Sequence, residues 1–260
     1  MKELGTWERL IVSSVILAFI ALLGVNIAKA ERFALGNLLV DFHLDSAPNK
    51  LPKHENAPID FWGSGDFSTK DGTTPPKLQQ MIFEIDKFGK VETLGLPVCT
   101  RAKLEATTVS QAREKCRGAI VGTGNGSGIV EFPEQAPIPA RTPLTFFNGP
   151  IVGGDPSVIV HAHLTIPAPT TYLVPLRIER IRKGVFGFRI ESNFPAIAGG
   201  YGSITHFDFR FDRKWNYRGK RLSYVYARCT IGRLQARFNA KFSDGTNAFG
   251  LFVHPCQVRS

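Results

Sequence analysis

The sequence predicts an all-β protein: an antiparallel β-sandwich or jelly roll with one short disulfide-tethered helix, preceded by an N-terminal signal helix. Three observations lead there. Apolar and polar residues alternate with a period of two, most plainly in Ile204-Thr205-His206-Phe207-Asp208-Phe209-Arg210-Phe211-Asp212. Such segments are short and separated by Gly- and Pro-bearing turns. Phe (20) far outnumbers Trp (3) and Met (2), which suits strands better than helices. At 43% hydrophobic and 21% charged, the 260-residue chain is too apolar for disorder and too charged for a polytopic membrane protein. No G-X-Y period and no longer internal repeat is present.

Residues 1–30 read as a signal peptide. A polar start with Lys2 and Arg9 leads into the uncharged stretch Ile11 to Val25, and Ala28-Lys29-Ala30 supplies a small-x-small cleavage pattern. The apolar stretch is short for a membrane span, which needs about 20 residues. An uncleaved anchor is the alternative, because Glu3 and Glu8 weaken the positive start. Either way the bulk of the chain, Glu31 to Ser260 after cleavage, lies outside the cytoplasm, and only an uncleaved leader would touch a membrane.

The remaining elements follow in order. Residues 31–58 hold a first strand and then a polar, Pro-broken loop from Leu44 to Pro58; residues 59–260 form a single β-sandwich domain. Met81 to Asp86 alternates, with Lys87-Phe88-Gly89-Lys90 as its hairpin turn. Thr108 to Cys116 is the one helix, starting on a Thr or Ser cap and tethered by Cys116. Tyr172 to Ile181 and Val185 to Ile190 flank Arg182-Lys183-Gly184 as a hairpin. In the 204–212 strand, Phe207, Phe209 and Phe211 face a core while His206, Asp208, Arg210 and Asp212 face water. Leu222 to Arg228, Arg233 to Phe242 and Ala248 to Val253 continue the meander, with a turn at Ser243-Asp244-Gly245-Thr246.

Four cysteines, all beyond the leader, imply disulfides in an exported chain. Three connectivities are open; Cys99–Cys116 with Cys229–Cys256 is favoured because each bridge closes a local loop without threading. Zinc is the rival reading, but there is no C-x-x-C pair and His254-Pro255-Cys256 is the one close His/Cys pairing.

Several strings together resemble a family of uncharacterised exported, signal-peptide-bearing β-rich bacterial proteins associated with actinobacteria. They include Gly95-Leu96-Pro97-Val98-Cys99, Cys116-Arg117-Gly118-Ala119-Ile120-Val121-Gly122-Thr123-Gly124, Pro143-Leu144-Thr145-Phe146-Phe147-Asn148-Gly149 and Ala198-Gly199-Gly200-Tyr201-Gly202-Ser203. The resemblance runs from about Leu35 to Cys256. It implies an exported β-rich protein and carries no catalytic residue.

Candidate chemistry is sparse. Gly122-Thr123-Gly124-Asn125-Gly126-Ser127-Gly128 fails the G-x-G-x-x-G spacing, and Ile129-Val130-Glu131-Phe132-Pro133 does not open a helix. The glycines instead clear one face of a strand for a ring or another backbone, and no cofactor is expected. His161 and His163 share a strand face at a spacing metal sites use, with His206 or Asp208 as a third ligand, yet solvated strand histidines share that pattern. No Ser lies in G-x-S-x-G. Glu84 with Asp86, and Asp208 with Asp212, are same-face carboxylates that read as cross-strand ion-pair partners, and no catalytic residue is assigned.

Charge is the most informative feature. Residues 177–241 hold 15 Lys+Arg against 4 Asp+Glu, whereas residues 31–176 hold 13 against 15. The excess gathers at Arg177, Arg180, Arg182 and Lys183 and at Arg210, Arg213, Lys214, Arg218, Lys220 and Arg221, interleaved with Trp215, Tyr217, Tyr224 and Tyr226. Basic turns with aromatics suit anionic polymers: acidic wall polysaccharide or lipid head groups, with nucleic acid the weakest because no binding motif is present. The expectation is a non-enzymatic binding or structural component of the cell envelope or extracellular matrix. The alternative is a secreted carbohydrate-active hydrolase or lectin-like glycan-binding domain using a cleft.

Overall fold

The computed structural model describes residues 30–259, so the leader read at 1–30 lies outside the described residues apart from its last position. The chain runs through β1 (Ala30–Leu35), β2 (Leu38–Ala47), β3 (Lys50–Pro52), β4 (Ala57–Thr69), β5 (Leu78–Asp86) and β6 (Gly89–Val91). Two helices follow, α1 (Arg101–Leu104) and α2 (Val109–Lys115). Then come β7 (Ile120–Val130), β8 (Ile138–Asn148), β9 (Ser157–Leu164), β10 (Thr170–Lys183), β11 (Phe186–Asn193) and β12 (Gly202–Phe211). The last part holds β13 (Lys214–Tyr217), β14 (Lys220–Ser223), β15 (Val225–Ala227), β16 (Arg233–Phe242), β17 (Asn247–Pro255) and β18 (Gln257–Arg259).

One antiparallel sheet dominates, in the order β1-β2-β4-β12-β7-β8-β9-β10-β11-β5-β16-β17, with β15 on β4 and β6 on β15. Its two ends approach each other. β1 lies beside β17, and the Phe33 ring packs 5.5 Å from that of Phe238 on β16. The sheet therefore curls over itself, and opposite parts face each other as the layers of a sandwich do. Leu38, Val40, Phe42 and Leu44 of β2 meet Met81 of β5, Phe238 and Phe242 of β16 and Phe252 of β17 across that core. Phe42 and Phe238 are 4.1 Å apart, centroid to centroid.

The glycines of β7 do what their spacing predicts. A Cβ on Gly122 would lie 2.6 Å from the Arg210 carbonyl oxygen, and one on Gly128 2.5 Å from that of Ser203. β12 can approach β7 only because these side chains are missing.

Four local expectations are corrected. β5 and β6 do not form a hairpin: β5 pairs with β11 and β16, and β6 with β15. The Asp86 carboxylate accepts from the Phe88 N–H and the Lys87 N–H donates to the Val185 carbonyl, turning the chain away. The Leu44–Pro58 loop is shorter than read, because alternation carries β2 to Ala47 and Lys50–Pro52 pairs in parallel with β18. The 222–228 strand is broken at Tyr224, whose N–H and carbonyl are taken by Arg213 and Glu92; the part before it belongs to a β13–β14 hairpin. There are two short helices rather than one. α2 starts on a Thr108–Gln111 capping box as expected, and the single turn α1 is held by buried Leu104.

Candidate functional site

The two disulfides are Cys99–Cys116 and Cys229–Cys256, and no cysteine is free among the described residues. Such bridges fit an oxidising, extracytoplasmic environment. The first ties α1 and α2 across the outer face of β8 and β9, where Leu104 and Ala112 pack on Phe147 and Ile159.

The inner face is what the sequence reading missed. Every second residue of β8 (Ala140, Thr142, Leu144, Phe146), β9 (Val158, Val160, Ala162, Leu164) and β10 (Tyr172, Val174, Leu176, Ile178) faces a partly open cavity of about 260 Å³. Phe207, Phe209 and Phe211 of β12 and Met81, Phe83 and Ile85 of β5 complete the wall. The space exists because the wall uses small residues at Gly126, Ala140 and Ala162, where large ones would fill it. A dry cavity of about 150 Å³ is large enough for benzene, and this one is larger. A second cavity of about 90 Å³ shares Leu44, Phe61, Ile85, Val225 and Ala236 with the first.

Among the described residues, no Lys, Arg, Asp or Glu lines the larger cavity. Its polar members are mostly engaged. Thr142 donates to the His163 carbonyl, Ser192 to that of Met81, and His206 is held between Asp66 at 2.7 Å and Asp208 at 3.5 Å. Tyr224 differs. It is 2% exposed, its hydroxyl has no hydrogen-bond partner among the described residues, and burial raises its pKa well above the ordinary 10.0. At one end the wall is the segment Phe194, Pro195, Ile197 and Gly202, where Pro195 both lines the cavity and is exposed to solvent. There the Tyr172 hydroxyl accepts from the Ala198 N–H at 2.8 Å.

The basic residues do not form one patch. Arg177 pairs with Asp155 at 2.8 Å, and the Arg180 backbone N–H donates to the same carboxylate. Arg210 bridges Asp60 and Asp212 and lies over the Trp62 ring, while Lys214 also binds Asp60. β7, β8 and β9 stand between β10 and β12, so these groups lie on separate parts of the sheet. The side chains of Arg182 and Lys183 fall outside the described residues. Arg213 has a buried Nε without a hydrogen-bond partner among the described residues. Exposed Arg218, Lys220 and Arg221 cluster on the β13–β14 hairpin. The aromatics there are occupied: Trp215 Nε1 donates to the Leu94 carbonyl at 3.0 Å, and the Tyr217 ring covers Gly95.

The histidines and carboxylates are likewise dispersed. His161 is not solvated but fully buried, on the β9 face opposite the cavity, with Nε2 3.0 Å from both Thr107 oxygens. Burial lowers its pKa from the ordinary 6.5. His163 Nδ1 meets Thr171 Oγ1 at 3.0 Å. No group of three His, Cys, Asp or Glu able to hold a metal ion occurs among the described residues. Glu84 pairs with Arg189 and Arg237 from the strands on either side, as its pattern suggested. Asp86 instead accepts from two backbone N–H groups, those of Phe88 and Gln235, and burial raises its pKa. Asp208 accepts from Asn125. Asp208, Glu84 and His161 line neither cavity.

Comparison with protein-family models, curated proteins and solved structures finds no match. No helix among the described residues is long and apolar enough to cross a membrane.

Proposed function

We propose that this protein binds an apolar small molecule inside its curled sheet, outside the cytoplasm, as a carrier or reservoir. The cavity of about 260 Å³, walled by apolar side chains from strands all round the sheet, supports the reading. An empty apolar space costs the fold packing energy, and a ligand there restores the missing contacts. The outward polar faces keep such a complex soluble. The test is titration with the fluorescent hydrocarbon amine N-phenyl-1-naphthylamine. Saturable binding is expected in the wild type and none in Ala162→Trp, whose ring takes the space. A wild type that binds no probe at micromolar protein removes the proposal.

A second, compatible reading concerns the surface. Lys220 and Arg221 are exposed on the β13–β14 hairpin and have no acidic partner among the described residues, so the hairpin suits anionic wall polymer or lipid head groups. Retention on a phosphate-bearing resin should collapse with salt and weaken in Lys220→Glu/Arg221→Glu; retention indifferent to both refutes it. Export itself is part of the proposal, and a secreted product whose mass begins at Glu31 would establish it.

A further inference from the structure

The cavity reading leaves open what distinguishes a ligand from any hydrocarbon. One side chain in the wall bears on this. Of the residues lining the larger cavity, Tyr224 alone has a buried side-chain polar atom without a hydrogen-bond partner among the described residues. Its ring is fixed: it stacks on Phe211 at 5.8 Å and packs among Leu96, Val121, Phe146, Val158 and Ile178. The backbone on either side is pinned by Arg213 and Glu92. A phenol needs a partner when buried, and an unmet one costs the empty protein stability. Phenylalanine would pack there without that cost.

We infer that Tyr224 is the specificity-determining polar contact of the cavity, and that the ligand is a neutral apolar molecule carrying one carbonyl or hydroxyl oxygen, which accepts the Tyr224 O–H. This rests on the proposed binding function and narrows it. The oxygen is uncharged because among the described residues no Lys or Arg lines the cavity to meet a carboxylate, and an unpaired buried anion is strongly disfavoured. The ligand's remaining surface is hydrocarbon because the remaining wall is.

The experiment displaces N-phenyl-1-naphthylamine with three ten-carbon probes, 2-decanone, decane and decanoate, from the wild type and from Tyr224→Phe. The expected result is that 2-decanone loses about tenfold in affinity in Tyr224→Phe, the equivalent of about 1.4 kcal/mol, while decane is unaffected. Decanoate is expected to bind weakest to both. The variant's melting temperature is expected to be unchanged or raised. A ketone affinity that does not change on Tyr224→Phe, with decane still bound, overturns the inference and leaves the cavity function standing. If none of the three probes nor the fluorophore binds the wild type, it is the cavity function that falls. Should the variant fail to fold, the carbonyl stretch of carbonyl-labelled 2-decanone in the wild type decides. A shift to lower frequency than in hexane is expected, and a hexane-like band overturns the inference.

Discussion

At the level of single residues, burial decides behaviour that residue type alone does not. His161 was expected on a solvated face; it is sealed beneath α1 and α2 because those helices cover the outer side of β9. Its lowered pKa means that the unfolded chain takes up a proton before the folded one does. The stability it contributes is present above about pH 6.5 and is lost as pH falls below that value. Urea midpoints between pH 8 and pH 5 should fall in the wild type and fall less in His161→Gln. Tyr224 acts at the other extreme: its raised pKa keeps the phenol neutral in the fold, so stability is intact below pH 10 and declines above it as the unfolded chain ionises. Tyr224→Phe should flatten that alkaline decline.

Steric effects at this scale are equally sharp. A methyl group at Gly124 would collide with the Asp208 carbonyl, so Gly124→Ala should cost more than about 2 kcal/mol or prevent folding, as read by chemical denaturation. Ala at Gly126, where only the Leu144 side chain is near at 3.4 Å, should cost far less. The alternating glycines were legible in the sequence as a cleared face. Which of them touches backbone depends on the register with β12, and no local pattern encodes that.

At the level of elements, local chemistry spelled out some features and concealed others. The helix cap at Thr108, the turn at Ser243 to Thr246 and the β10–β11 hairpin could all be read off because their determinants lie within a few residues. The fate of β5 could not. Its partners β11 and β16 come from about a hundred and more residues downstream, and its sequence looks like half of a hairpin. The α1–α2 segment is a small unit stapled over a 17-residue separation by Cys99–Cys116. Replacing both cysteines with serine should cost about 3 kcal/mol, measured by reversible denaturation. The 194–202 segment lines the cavity and is partly exposed to solvent, and it is held by Tyr172. Tyr172→Phe removes the acceptor for the Ala198 N–H and should raise probe association and dissociation rates together in stopped flow, leaving Kd within about twofold.

At the level of the whole molecule, the class of the fold was evident from period-two alternation and the disulfide pairing from loop closure, while the cavity was not. A cavity is a difference between the volume that a curled sheet encloses and the volume its side chains fill. That difference shows only once β8, β9 and β10 are set side by side and their small residues are seen facing one another. The layout of charge was hidden for a related reason: the sequence shows cations clustered along the chain, whereas the folded sheet interposes strands between the β10 and β12 groups and supplies Asp60 and Asp155 as partners to some of them. Filling the space with Ala162→Trp should abolish probe binding without lowering the melting temperature, which separates loss of a binding volume from loss of the fold.

The meeting of β1 with β17 sets an order of events. β1 and β17 are neighbours, so the sheet closes on itself only once β17, more than 200 residues along the chain, is in place. On the proposal that the chain is exported unfolded and binds a ligand, there is no inside to fill during transit, and the ligand is acquired on the side where the thiols are oxidised.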